Sequence, residues 1–84
     1  MAAADNISLI VFTPESTLLE RQVSKVSLPG SRGRFMVLKD HAPIISLLEE
    51  GDISFESAGV MQHVHILSGF VEVNHNKVTV CAEV

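Results

Sequence analysis

The chain has 84 residues and a formal net charge of -4, from 10 acidic and 6 basic side chains. A nucleic-acid-binding surface needs clustered lysine and arginine that replace phosphate counterions, so this balance argues against a nucleic-acid partner. The apolar fraction of 46% and the mean hydropathy of +0.32 are high for so short a chain. We therefore expect a partner to cover part of its surface.

The length predicts one domain over residues 1–84, because neither a repeat nor a low-complexity linker divides the sequence. Residues 1–6 lack a basic region, and the apolar run at residues 7–12 is too short for a signal-peptide core or a membrane span. The one cysteine, Cys81, cannot form an internal disulfide. We expect it to be a small packed side chain in a reducing compartment.

The first half of the chain predicts a series of short strands, at residues 7–12, 18–21, 23–28 and 34–38. The next segment, Pro43–Gly51, has two interpretations. Proline at a first helical position and glycine at a C-cap are typical of a short helix, whereas the β-branched Ile44 and Ile45 favour a strand.

The second half alternates apolar and polar residues, which predicts strands at residues 52–56, 63–66 and 71–74. Turns are expected at residues 57–59 and 74–77, where glycine and asparagine tolerate the positive φ angles of tight hairpins. Strands joined by hairpins are antiparallel, and many short strands indicate a sandwich or a barrel.

Residues 28–43 carry the most informative motif, a Pro-Gly-x-x-Gly turn, an apolar strand and the corner His41-Ala42-Pro43. Thr13-Pro14-Glu15 precedes this motif, and Gly51-Asp52-Ile53 and the run at residues 67–73 follow it. In this order the motifs resemble the amino-terminal β-sandwich of the epsilon subunit of F-type ATP synthases, over about residues 7–84. The sequence departs from that family at three positions, Met36 and Ser68 where glycine is usual and Lys39 where a turn residue such as proline is common.

The resemblance implies an all-β, antiparallel β-sandwich of about ten short strands, with a strand at the segment after the His-Ala-Pro corner. It implies a non-catalytic rotor subunit of the central stalk that couples the gamma subunit to the c-ring, so that ion translocation drives ATP synthesis, with no cofactor. It places Thr13, His41, Ala42 and Ser46 toward gamma, and Ser31, Arg32 and Arg34 toward the loops of the c-ring. The location implied is peripheral, at the cytoplasmic face of a bacterial inner membrane.

Full-length members of that family commonly continue into a two-helix hairpin that restrains ATP hydrolysis and in some members binds ATP. If Val84 is the natural end, we expect the chain to couple rotation without this brake and to bind no nucleotide. The alternative from another class is a free-standing β-sandwich module that binds a different partner.

Three side-chain patterns offer chemistry, each with a simpler structural interpretation. His63 and His65 share one face of a strand, a possible start of a metal site with His75, but nothing in the sequence fixes a third ligand and a solvated polar face is the favoured interpretation. Asp40-His41 with Ser46 contains the residue types of a nucleophilic triad, but no nucleophile elbow is present. The turn at residues 30–34 has the glycines of a phosphate loop, but an apolar strand follows it where a helix would be needed.

Overall fold

The computed structural model describes residues 4–84, so residues 1–3 of the predicted domain lie outside the described residues. The described part contains nine β-strands and no helix. The strands are β1 (Ile7–Phe12), β2 (Thr17–Val23), β3 (Lys25–Leu28), β4 (Phe35–Val37), β5 (Ile44–Leu48), β6 (Gly51–Ser57), β7 (Val60–Ile66), β8 (Ser68–Asn74) and β9 (Lys77–Glu83).

Two sheets form a sandwich, a five-stranded sheet in the order β2-β1-β9-β8-β5 and a four-stranded sheet in the order β4-β3-β6-β7. Neighbouring strands are antiparallel except β1 and β9, which run parallel at the centre of the larger sheet. The predicted all-β sandwich is confirmed, with nine strands where about ten were expected. Within residues 4–84 no helix is long and apolar enough to cross a membrane.

The core lies between the sheets and follows the alternation of the sequence. On β1, Ile7, Leu9 and Val11 are fully buried while the residues between them face outward. Burying one such side chain contributes roughly 1.5–3 kcal/mol as an upper estimate. The other buried apolar residues come from both sheets: Val23, Val26, Leu28, Val37, Leu48, Ile53, Phe55, Ile66, Val71, Val73, Val78, Val80 and Ala82.

The segment with two interpretations is a strand, β5, at one edge of the five-stranded sheet. It pairs antiparallel with β8, so that Ile44 lies opposite Val73 and Leu48 opposite Gly69. A helix would have removed this ladder, and the inward side chains Ile44 and Leu48 pack with the core instead. Pro43 immediately precedes the strand, and Gly51 begins β6.

Both predicted hairpin turns of the second half are two-residue turns with positive φ at each central residue. Ala58 (φ 52°) and Gly59 (φ 77°) join β6 to β7, and His75 (φ 50°) and Asn76 (φ 61°) join β8 to β9. This geometry matches the right-handed twist of the strands that it connects.

At the first departure from the family pattern, Met36 lies in β4 and is 49% exposed, so its side chain has room outside the core.

Candidate interaction surfaces

The five-stranded sheet carries an apolar row on its outer face, the side away from the four-stranded sheet. The row consists of Leu47, Phe70, Cys81 and Phe12, each directly opposite the next on the neighbouring strand. Successive strands are about 4.8 Å apart, so the row extends over about 14 Å. Leu47 is 67% exposed and Phe70 50% exposed.

Ile45 extends this apolar surface at the sheet edge, where 76% of it is exposed. Neither Ile45 nor the apolar row was predicted as a site from the sequence. The available signal was alternation, because large apolar residues occupy outward positions on strands whose inward positions are also apolar. A contiguous exposed apolar surface of this kind is typical of a binding face.

Thr13 lies at the end of the sheet where β1 ends and β8 begins. Its hydroxyl accepts hydrogen bonds from the backbone N–H groups of Glu15 (3.3 Å) and Ser16 (3.2 Å). Thr13 and Leu18 line a groove with Phe70 and Cys81. The side chain thus stabilises the Thr-Pro-Glu turn and borders the apolar row.

His41 and Ala42 lie at the opposite end of the same sheet, beside the turn between β8 and β9. The Nδ1 atom of His41 donates to the carbonyl oxygen of Ala42 at 2.6 Å. Asn76 fixes the corner through two bonds, because its Oδ1 accepts from the backbone N–H of Asp40 (2.6 Å) and its Nδ2 donates to the Asp40 carboxylate (3.1 Å). Asp40 has the left-handed backbone conformation, with φ 63°.

Ser46 lies in the middle of β5 at the open side of the sandwich, where it lines a cleft of about 590 Å³. The opposite wall of this cleft is residues 30–35. The structure therefore brings one residue predicted to contact gamma beside the three predicted to contact the c-ring, and separates it from Thr13. A partner that contacts all of the predicted gamma residues has to extend along the sheet.

The first residues of the glycine loop, residues 29–34, are hydrogen-bonded to the main chain of β5 and of the residue that follows it. The backbone N–H of Ser31 donates to the carbonyl of Leu47 (3.0 Å), and that of Glu49 donates to the carbonyl of Pro29 (2.9 Å). Gly30 cannot be replaced without movement, because an added Cβ would lie 2.7 Å from the carbonyl oxygen of Gly33. The loop is thus a fixed projection of the sandwich.

Arg34 is bound within the domain. Its guanidinium donates to the hydroxyl of Ser27 at 2.9 Å and to the backbone carbonyl of Asp52 at 2.6 Å, which ties the end of the glycine loop to β3 and β6. Ser31 and Arg32 are exposed at the tip of the loop. The two arginines of the motif therefore have different surroundings.

The triad residues each have a different hydrogen-bond partner. The Ser46 hydroxyl donates to the carbonyl of Leu47 (3.1 Å), His41 donates to Ala42, and the Asp40 carboxylate accepts from Asn76. No serine–histidine–carboxylate relay is therefore assembled from these described residues, which leaves the hydrolase interpretation without its geometry. The glycine loop also does not form a phosphate-binding loop, because the strand β4 follows it where a helix would be needed.

His63 and His65 share the outer face of β7, as the period of two predicts. They make different contacts, since His63 Nδ1 lies 2.8 Å from the hydroxyl of Ser54 and His65 contacts two carboxylates. His75 belongs to a turn of the other sheet. In residues 4–84 no group of three or more histidine, cysteine and acidic side chains is arranged to hold a metal ion.

Residues 6–84 match the sequence family described as the ATP synthase, Delta/Epsilon chain, beta-sandwich domain. The chain belongs to this family. The match covers both the motifs of the first half and the strands of the second half. The resemblance inferred from the sequence motifs is therefore confirmed.

Curated relatives named ATP synthase epsilon chain support the same family. The one from Nitratidesulfovibrio vulgaris (strain DP4) is 41% identical over 78 residues, which are 93% of this chain and 58% of that protein. The one from Desulfitobacterium hafniense (strain DSM 10664 / DCB-2) is 39% identical over 80 residues, 95% of this chain and 61% of that protein. The chain thus spans about three fifths of the length of these epsilon chains.

Two solved structures share the fold of this family member. A chain of the Euglena gracilis mitochondrial ATP synthase has a TM-score of 0.86 at 21% identity and matches 98% of this chain and 53% of its own length. A chain of the Tetrahymena thermophila mitochondrial ATP synthase central stalk and c-ring has a TM-score of 0.77 at 12% identity, over 99% of this chain and 67% of its own. At these identities the likeness is one of fold.

Proposed function

We propose that this β-sandwich is a non-catalytic part of the rotor of an F-type ATP synthase, which fixes the gamma subunit of the central stalk to the c-ring. Ion translocation through the ring is then delivered as rotation that drives ATP synthesis on other subunits. The observation that carries the proposal is the exposed apolar row on a domain of the delta/epsilon family. A row of this kind is suited to burial against another subunit.

The gamma subunit is the partner proposed for the outer face of the five-stranded sheet. Thr13 and His41 border opposite ends of this face, and the apolar row crosses it between them. An elongated stalk subunit lying along the sheet would meet both ends. Phe70 is the proposed anchor, because half-exposed aromatic side chains near the centre of a face carry much of the binding free energy.

The glycine loop is proposed to meet the polar loops of the c-ring. The loop is held by backbone hydrogen bonds at Pro29 and Ser31 and by the side chain of Arg34, which lowers the entropic cost of binding. Within it we assign contact with the ring to Ser31 and Arg32, which are exposed at the tip. Arg34 holds the loop in place through Ser27 and Asp52 and contacts the ring less directly than the motif alone implies.

The mechanical role follows from the packing of the two sheets. Because a close-packed core deforms little under load, a sandwich can transmit torque between its two faces with little elastic deformation. No cofactor takes part in this role. The domain is placed peripherally, at the cytoplasmic face of a bacterial inner membrane, through its partners.

Isothermal titration calorimetry of the intact chain against the gamma subunit of the same organism tests the proposal. Phe70→Glu should weaken binding at least about thirtyfold, since truncation of an anchor costs about 2 kcal/mol or more and a buried charge adds to that cost. The matched control is Met61→Glu, because Met61 is 45% exposed on the outer face of the other sheet. It should bind like the unmodified chain.

Absence of binding to folded gamma would contradict the rotor assignment and support the free-standing binding module. Equal weakening by both variants would contradict the choice of face. Circular dichroism of each variant separates a loss of binding from a loss of folding.

A further inference from the structure

An acidic pair encloses His65 on the outer face of the four-stranded sheet. His65 lies on β7 directly opposite Asp52 on β6, and its Nδ1 atom is 2.8 Å from Oδ1 of Asp52. Its Nε2 atom is 3.4 Å from Oε2 of Glu50, which precedes β6. Both ring nitrogens therefore face carboxylate oxygens.

This geometry favours a doubly protonated ring. An ionised carboxylate only accepts hydrogen bonds, and a neutral imidazole has one N–H donor, so one of the two contacts would place a lone pair against a carboxylate. An imidazolium donates to both. The hydrogen bond to Asp52 is the main cause of a raised pKa of His65, followed by the hydrogen bond to Glu50, and desolvation opposes them.

Two further polar side chains near this site are Arg34 and His63. Arg34, the nearby cation, donates to the backbone carbonyl of Asp52. His63, two residues away on the same strand, contacts Ser54 and is not enclosed by carboxylates. β7 is an edge strand, so no further strand of residues 4–84 packs beside it in the sheet.

The site adjoins the corner, residues 49–51, where the chain crosses from the five-stranded to the four-stranded sheet. The corner is bonded to the glycine loop, since the backbone N–H of Glu49 donates to the carbonyl of Pro29 at 2.9 Å. Arg34 adds a second link, from the end of the loop to Asp52. The two carboxylates that contact His65 thus belong to the segment, residues 49–52, whose main chain is hydrogen-bonded to the glycine loop.

We propose that His65, Glu50 and Asp52 form a proton-binding site whose occupancy fastens the corner, and through it the glycine loop, in the arrangement described. Release of the proton removes one donor and leaves the carboxylate of Glu50 without its partner on β7. The backbone amides of the glycine loop are then less protected from hydrogen exchange. This device belongs to the isolated domain, so it does not depend on any contact with gamma or the c-ring.

The direction of the pH dependence follows from linkage. In the unfolded chain His65 has the ordinary pKa of about 6.5, and in the folded chain its pKa is raised. The stability that the site contributes is therefore fully present below about pH 6.5. It is lost as the pH rises through the higher folded-state value.

Nuclear magnetic resonance titration of the histidine rings in the intact chain tests the site. We expect the midpoint of His65 to lie above the ordinary histidine value of about 6.5. Asp52→Asn should lower the midpoint of His65 more than Glu50→Gln does, because the contact with Asp52 is shorter. A midpoint of His65 at or below about 6.5 would overturn the proposal.

Amide hydrogen exchange tests the link to the loop. After correction for the intrinsic rate, protection of the Glu49 and Ser31 amides should fall as the pH passes the midpoint of His65. This pH dependence of amide protection should be absent in His65→Gln and present in the control His63→Gln. The coupling would be overturned if the pH dependence is unchanged in His65→Gln, or if protection in the unmodified chain does not change around the midpoint of His65.

Discussion

Gly69 shows how one residue decides the packing of two strands. A Cβ added there would lie 2.5 Å from the carbonyl oxygen of Cys81 and 3.1 Å from Cα of Ala82, both main-chain atoms of β9. Neither can move without shifting the strand. This explains why glycine stands at this position while the preceding Ser68, where the family usually has glycine, is exposed and tolerated.

Gly69→Ala should therefore destabilise the domain by about 2–3 kcal/mol, the cost of overpacking against a main chain that cannot relax. Urea denaturation followed by circular dichroism measures this. Ser68→Ala is the matched control and should change the free energy of unfolding by less than about 0.5 kcal/mol. A Gly69→Ala variant as stable as the control would show that β8 and β9 separate easily.

Residue patterns predicted the location of the histidines but not their chemistry. The period of two placed His63 and His65 on one face, and the structure confirms this. The sequence could not distinguish them, because the pairing of β6 with β7 decides that Asp52 lies opposite His65 and Ser54 opposite His63. The difference between the two histidines depends on strand register, which local patterns do not define.

At the scale of elements, the hairpin turns were the most predictable features. The two central residues of a type I′ turn need positive φ, and the second half of the chain supplies Ala58-Gly59 and His75-Asn76 at these places. Alternation predicted the strands beside them. The position of β1 between β2 and β9 was not predicted, because pairing of strands so distant in sequence has no local signal.

Ala58 is the weak point of the turn between β6 and β7, because alanine in the left-handed conformation costs about 1 kcal/mol. Ala58→Asn should raise the free energy of unfolding by roughly 0.5–1 kcal/mol, since asparagine adopts this conformation more readily. The backbone N–H of residue 58 keeps its bond to the Asp5 carboxylate (3.0 Å). Thermal and urea unfolding measure the change.

The control for this substitution is Ala42→Asn, which places the same side chain at an exposed loop position without positive φ. It should leave the stability nearly unchanged. If Ala58→Asn stabilises the domain no more than Ala42→Asn does, strain at the turn is not the cause.

At the scale of the whole molecule, the sandwich is compact, with a radius of gyration of 11.6 Å. This is close to the roughly 12 Å expected for a compact chain of this length. Its two outer faces differ in character. The five-stranded face presents the apolar row, and the four-stranded face presents the polar side chains around Asp52 and His65.

The fold class and the family were predictable, because alternation indicates a sandwich or a barrel and the glycine and His-Ala-Pro motifs resemble one family of sandwiches. The sequence did not predict which face is apolar. The gamma contacts predicted from the resemblance, Thr13, His41, Ala42 and Ser46, stay predictions. Thr13, His41 and Ala42 lie at the ends of the apolar face, whereas Ser46 lies in the cleft beside the glycine loop, on the opposite side of β5 from Leu47. The centre of the apolar face became visible only when the register placed Leu47, Phe70 and Cys81 side by side.

Alkylation of Cys81 tests whether gamma binds the apolar row, because this one cysteine lies in the middle of the row. The rate of modification by N-ethylmaleimide would be followed by mass spectrometry of this chain, free and saturated with gamma. We expect gamma to slow the reaction several-fold and Phe70→Glu to abolish the protection. An unchanged rate in a complex that calorimetry shows to be formed would contradict docking through this face.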